Sequence, residues 1–432
     1  MSSTALPRLA ARRLPFFYGW VVLACACCAG FSRQGGAVAT LSIFVEPMTR
    51  DFGWSRTALS GAVSLGGVVA ALSAPTLGRL LDRRGARVVL CLAVLTTGLA
   101  NMLLSLTASL AMFYALFCVA RTNFAGPFDL GIYGAVNNWF VARRAFATAI
   151  ATLAQMAGLV CLPLLAQAAI QHSDWRAGWL AVGTAVLVIG LLPNWLFMVR
   201  RPEDLGLLPD HSAPRTAAEA APIEVVFTRE AALRTPAFWL LSLFALFAYP
   251  VQAGVSLHQA AYLIERGIGP GTAAAIVGTF SLMSGVASLC FGLLPRRLPI
   301  RYSLVCTGTA LGVGTAAMLR VATPFDGYLA AGLFGAGVGG LLTLLPIAWA
   351  DYYGRASYGA IRGTALTVQV LAQASGPLIS AVLRDRSGGY QLSLACFVAL
   401  SALSVVAALL ARPPARPPLA ATSSAAPIPR HP

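Results

Sequence analysis

Runs of about twenty apolar residues recur along this chain of 432 residues, and nothing else in the sequence constrains its fold as strongly. In hydrocarbon every backbone N–H and C=O must find its partner within the protein, so only helices or closed barrels can cross. Barrel strands are about ten residues long and alternate in polarity. The runs here are twice as long and continuously apolar, which predicts helices. Twelve spans are expected, at 17–45, 57–80, 88–107, 111–139, 145–169, 175–199, 237–263, 272–294, 302–321, 326–350, 359–383 and 390–411. The expected fold class is an all-α integral membrane protein with twelve transmembrane helices. Composition excludes the soluble alternative: 58% of residues are hydrophobic and 11% charged, against about 25% charged in soluble proteins.

Arg8, Arg12 and Arg13 precede an apolar run containing "ACA" at 24–26, which imitates a secretory signal. The run continues to Val45, broken only by Arg33, and is too long for a cleaved leader. It is expected to be the first membrane helix. All 31 basic residues are arginine, and the formal charge is +16. A basic surplus can mark nucleic-acid binding, but these arginines sit between the apolar runs, so a lipid bilayer is the expected partner and nucleic acid is not. With the N-terminus inside, twenty-two arginines fall on the cytoplasmic side, Arg362 among them, and seven outside. That is the positive-inside pattern, with both termini cytoplasmic. The expected location is the cell (inner) membrane. Nine cysteines all lie in apolar runs, and "CACC" at 25–28 has no histidine or acid beside it. They read as small buried residues, and no metal or cofactor is expected.

The longest interior polar segment, 200–236, divides the spans six and six. The expected organisation is an N-terminal tail (1–16), a first six-helix bundle (17–199), a cytoplasmic linker (200–236), a second bundle (237–411) and a flexible Pro-rich tail (412–432). The halves echo each other. "GRLLDRRGAR" (78–87) follows the second span and "GLLPRRLPIR" (292–301) the eighth; each has glycine first and arginine sixth and tenth. Repeated bundles are common in secondary transporters, with substrate held between the repeats near the midplane.

"GRLLDRRGAR" resembles the loop signature of the major facilitator superfamily, glycine-x-x-x-aspartate-basic-x-glycine-x-basic, at the position where the family carries it. The resemblance implies two six-helix bundles and a gating role for Gly78, Asp82, Arg83, Gly85 and Arg87, which latch the halves at the cytoplasmic face. The residue types suit that task. Gly78 allows close helix packing, Asp82 accepts charge-assisted hydrogen bonds or faces a helix N-terminus, and Gly85 allows a tight turn. In the second copy Arg296 stands where Asp82 stands in the first. "YGWVVL" (18–23), "FGWSRTALS" (52–60), "RRPEDLGLLPD" (200–210) and "WADYYGRASYGAIRG" (349–363) are similar to bacterial members of the monocarboxylate transporter and oxalate/formate antiporter group. Part of that group's span-five signature is present in Phe140, Arg143, Arg144 and Ala147, with Trp139 in place of tyrosine. The group often places a basic residue in span eight or eleven to grip a carboxylate. Span eight here has no charge, and span eleven has only Arg362 near its end, so a carboxylate grip is expected elsewhere.

Three charges invite attention. A charged residue at the bilayer centre costs about 2.5–3.5 kcal/mol on insertion scales and usually faces a cavity. Arg121 and Asp129 share span four but stand eight residues, roughly 12 Å, apart on a helix, too far to pair. No other acid is expected deep in a span, which leaves Arg121 without a counter-ion. Arg33 lies roughly 24 Å along span one and Arg121 roughly 15 Å along span four from the other side, so straight helices of about 40 Å bring them level. Two arginines without carboxylates predict a carboxylate site, which guanidinium geometry suits. Asp129 is the expected proton-coupling residue. The resemblance implies that spans one, four, seven and ten line the cavity. Pro250 and Gly254 are expected to interrupt span seven, which offers Tyr249, Gln252, His258 and Gln259. Asn123, Gln155, Gln369 and Gln373 are further polar candidates. The expected substrate site is thus Arg121, Arg33, Asn123, Tyr249, Gln252, His258 and Gln369.

The expected function is alternating-access secondary transport of a small organic anion, a monocarboxylate first, coupled to protons, by a monomer. A drug exporter of the same fold and a non-transporting ligand sensor are the alternatives. No nucleotide loop, metal cluster or nucleophile with its base is present, so an enzyme is not expected.

Overall fold

The computed structural model of the protein describes residues 5–211, 227–293 and 298–415. The middle of the linker from Ser212, the second loop copy at Arg296 and Arg297, and the tail from Arg416 lie outside the described residues. A short helix α1 (Ala5–Arg13) precedes the first span, which is built from α2 (Gly19–Arg33), a 3-10 turn (Gln34–Gly36) and α3 (Val38–Phe52). There follow α4 (Arg56–Arg84), α5 (Ala86–Leu104), α6 (Leu110–Ala125), α7 (Pro127–Trp139), α8 (Arg144–His172) and α9 (Trp175–Phe197). Beyond the linker come α10 (Arg229–Leu233), α11 (Pro236–Glu265), α12 (Pro270–Leu293), α13 (Ile300–Leu319), α14 (Pro324–Tyr353), α15 (Tyr358–Ser387) and α16 (Gln391–Leu410). No strand occurs among the described residues. Among the described residues, eleven stretches are long and apolar enough to cross a membrane. Span four is the twelfth; α6 and α7 share it, and each alone is shorter than a crossing.

Local chemistry sets the helix ends. Ser55, Ser109, Asp174 and Thr235 accept hydrogen bonds from the backbone at the starts of α4, α6, α9 and α11. Thr323 and Asp326 form a reciprocal capping box on α14. Each cap satisfies donors that a helix leaves unpaired at its first turn.

Two predicted helices are broken and one predicted break is absent. Spans one and four were expected to run straight; they divide at Gln34–Gly36 and at Gly126. The cause in span four is Pro127. It has no N–H and would clash with the carbonyl four residues back, so it opens a new helix instead of continuing the old one. In span one the glycine turn presses against α6, where a Cβ on Gly36 would stand 2.3 Å from the Ala120 carbonyl oxygen. Span seven, expected to break at Pro250 and Gly254, is the continuous helix α11. Membrane helices tolerate proline when neighbours satisfy the freed groups. The Pro250 carbonyl packs directly on Gly376 of α15.

Both described ends of the chain lie on one side, here called the terminus side: α1 packs on α9, and the Tyr352 hydroxyl donates to the carbonyl of Ala411. The halves meet along α4 with α15 and along α8 with α12. Gly78 lies so close to α15 that a Cβ there would stand 2.0 Å from the Gly359 oxygen, and Gly292 of α12 closes similarly on Ala145. Arg144 of α8 pairs with Asp351 of α14, Tyr133 donates to the Leu342 carbonyl, and Thr367 donates to that of Ala71. These cross-half bonds run from the middle of the spans to the terminus side, where the halves are closed on each other.

Candidate functional site

The two helix breaks create the site. Arg33 is the last residue of α2, and Asp129 lies in the first turn of α7. The helix dipole favours a cation at the first kind of position and an anion at the second. Arg33 Nε donates to the Phe124 carbonyl, right at the span-four break, at 2.9 Å. Its Nη1 donates to Gln155 Oε1 at 2.7 Å, and Nη2 stands 3.7 Å from Asp129 Oδ2. Gln155 in turn donates to the Tyr133 hydroxyl at 3.2 Å. Arg33 was expected to lack a carboxylate. It has one, because the break turns α7 so that Asp129 faces α2.

Asp129 has a second arginine, this time from the other half. Arg362 Nη2 donates to Asp129 Oδ1 at 3.1 Å. Arg362 is 1% exposed, and its Nε and Nη1 have no hydrogen-bond partner. Tyr249 of α11 and Tyr358 of α15 lie within electrostatic range of the pair. Sequence reasoning counted Arg362 among the orientation arginines. The available signal was its place one turn inside a helix between Gly359 and Gly363, small residues that bring α15 against α4.

Arg121 differs. Its stem packs on Gly66 of α4, and its guanidinium carbon lies 4.6 Å from the centroid of the Phe124 ring. The Arg33 guanidinium lies at the same distance from that ring, so the two cations share one aromatic platform, a favourable contact. Arg121 Nε is buried without a hydrogen-bond partner, and no carboxylate pairs with Arg121 among the described residues. Arg121 and Asp129 do not bond to each other.

The remaining predicted substrate residues scatter. Asn123 turns away from the arginines and donates to Thr96 and Thr97 of α5 at 2.8 and 3.1 Å. Gln252 accepts from Gln373 at 3.2 Å, joining α11 to α15. Gln369 is buried with Oε1 unpartnered. His258 sits in a small pocket inside the second half, against Tyr390 and the Pro377 carbonyl. Tyr249, the remaining predicted span-seven residue, is buried on α11.

The loop signature divides in the same way. Asp82 crosses between the halves: its oxygens accept from the backbone N–H groups of Gly359 and Ala360, at the start of α15, at 2.8 and 2.7 Å. Gly85 has φ +81° and links α4 to α5, a conformation that side chains resist. Arg87, expected to latch the halves, donates to the Trp195 carbonyl of α9 in its own half. Arg83 is exposed. The contacts this loop makes across the halves are those of Gly78 and Asp82 against α15.

Twelve crossings in two halves that close at one face, with ionised side chains buried at the junction, define a polytopic membrane protein of carrier architecture. The chain belongs to the Major Facilitator Superfamily, whose sequence profile matches residues 22–377. It is 27% identical over 392 residues to "Monocarboxylate transporter 11" of Mus musculus, covering 87% of this chain and 83% of that protein. It is also 28% identical over 224 residues to "Membrane sensor protein UhpC" of Escherichia coli (strain K12), half of this chain and 51% of that one. The fold matches that of FucP in the outward conformation, with a TM-score of 0.68, 12% identity and coverage of 91% of this chain and 99% of that one. A bacterial homologue of the iron transporter ferroportin in an outward-facing state matches with TM-score 0.68 and 16% identity, again over 91% and 99%. Proteins of this family are generally non-enzymatic carriers of small molecules.

Proposed function

We propose that this protein is a secondary carrier of a small organic anion, with a monocarboxylate as the first candidate, working by alternating access in the cell membrane as a monomer. The observation that carries this reading is Arg121. It is a guanidinium at the embedded junction with no carboxylate partner among the described residues, beside a second guanidinium on the same aromatic ring. Charges in such positions face cavities and meet ions, and a planar guanidinium suits a carboxylate. The chain's likeness over most of its length to a monocarboxylate transporter supports the same substrate class.

The arginine asymmetry supports cytoplasmic termini. The terminus-side closure then corresponds to an outward-facing carrier, with bundles at 17–199 and 237–411 as the moving bodies and the Gly78–Asp82 latch as the inner gate. Coupling to protons is assigned to Asp129. Its carboxylate is held by Arg33 and Arg362 in this conformation, so proton uptake belongs to the stage at which those pairs part.

A second reading, a ligand sensor without net flux, draws on the likeness of half the chain to UhpC. Proteoliposomes separate the two. Uptake of radiolabelled pyruvate above protein-free vesicles, stimulated by an inward proton gradient, is expected of the carrier. Binding of pyruvate without accumulation would favour the sensor. Binding of lipophilic cations alone would overturn the anion assignment.

A further inference from the structure

Asp129 does for two arginines what a cargo carboxylate would do. One oxygen accepts from Arg362 at 3.1 Å and the other stands 3.7 Å from Arg33. Arg33 belongs to the first half and Arg362 to the second, so a single carboxylate bridges them. The arrangement does not satisfy Arg362, which is 1% exposed and keeps both Nε and Nη1 without a partner. Unmatched donors on a buried cation are costly. With Arg121 on the shared Phe124 ring, the junction holds, among the described residues, three guanidiniums to one carboxylate, and an acceptor is lacking.

We propose that Asp129 is an internal stand-in for the cargo: in the empty carrier it occupies Arg33 and Arg362, and the incoming carboxylate takes its place on them. The proposal rests on the reading of the junction as an anion site. It adds how two of the arginines are partnered in the empty site and how its occupation is felt elsewhere. An exchange of one carboxylate for another keeps the buried arginines paired throughout, so neither is left bare in the membrane. Displacement of Asp129 also undoes an ion pair between the halves on their closed side. A cargo arriving from the open side thereby loosens the closed one, with Arg362 passing from an internal partner to an external one. The geometry favours carboxylate cargo, because two oxygens on one planar carbon already serve the two guanidiniums.

Two variants of the full-length protein test this. Asp129→Ala vacates the carboxylate. Sodium formate is expected to raise the thermal midpoint of this variant by several degrees over a sodium chloride control, while wild type moves little, as for a ligand that binds only the folded state. Asp129→Asn keeps the shape and removes the internal competitor. Its affinity for pyruvate and oxalate is expected to rise by about tenfold over wild type, a gain that a merely structural aspartate would not give. Formate that acts no better than chloride on Asp129→Ala, or probe binding by Asp129→Asn that is unchanged or weaker, would overturn the proposal. If Asp129→Ala does not fold, the affinity of Asp129→Asn decides alone. Failure of the underlying anion-site reading looks different: neither wild type nor Asp129→Asn then binds either probe, and the stand-in falls with it.

Discussion

Arg362 and Arg121 enter the centre from opposite halves and end in different surroundings. Arg362 is 1% exposed and bound to Asp129. Arg121 is only half-buried and rests on an aromatic ring, with no carboxylate beside it among the described residues. The first charge is compensated where the halves are sealed together. The second is left uncompensated within the same junction. Both are arginines in a membrane-spanning helix, so residue type alone does not tell a charge that the protein already neutralises from one that it leaves open; the internal counter-ion does.

The contrast is broken most strongly by removing one member of the compensated pair. Arg362→Ala leaves Asp129 with only the more distant Arg33, and an uncompensated buried charge typically costs about 3–5 kcal/mol. Thermal unfolding in detergent should show a large loss. Adding Asp129→Asn to Arg362→Ala should recover much of it, because no buried charge is then left bare on that side. A double variant no more stable than Arg362→Ala would mean that the pair does not hold the junction.

The next effect concerns the seal around that pair. Gly78→Val puts a side chain where the Gly359 oxygen stands. Overpacking of this kind costs about 1–3 kcal/mol, here charged against the terminus-closed state. Energy transfer between probes on the terminus-side ends of α4 and α15 should fall as these ends separate. Unchanged transfer would show that the seam does not set the equilibrium between states.

The smallest expected change sharpens the other side of the comparison. Phe124→Leu removes the ring that Arg33 and Arg121 share, a loss of about 1 kcal/mol. Pyruvate affinity should weaken by roughly fivefold, with little change in unfolding temperature. A stability loss as large as that of Arg362→Ala would place Phe124 in the core rather than at the site.

The spans, their number and the family could be read directly from the chain, because the apolar run is a local property and the loop motif is contiguous. The charged centre was legible only in part. Arg121 stood out because it interrupts a hydrophobic run, and the eight-residue spacing correctly separated it from Asp129. The partners of Asp129 did not stand out: Arg362 lies 233 residues away in the other half, a distance no local pattern spans. Gly126–Pro127 carried a readable break, yet span four was drawn straight, which hid the fact that Asp129 opens a new helix and faces Arg33. Pro250 misled in the opposite sense. Proline predicts a break from backbone chemistry alone, and the packing of α11 against Gly376 overrides it.

The most direct measurement is calorimetric titration of pyruvate into wild type, Arg121→Lys and Arg121→Gln. Charge without planarity should leave weakened binding in Arg121→Lys, and loss of charge should abolish it in Arg121→Gln, a drop of at least about thirtyfold, or 2 kcal/mol. Unfolding temperatures close to wild type are expected for both, since no carboxylate is orphaned. Pyruvate binding by Arg121→Gln at wild-type affinity would contradict the claim that this arginine holds the cargo.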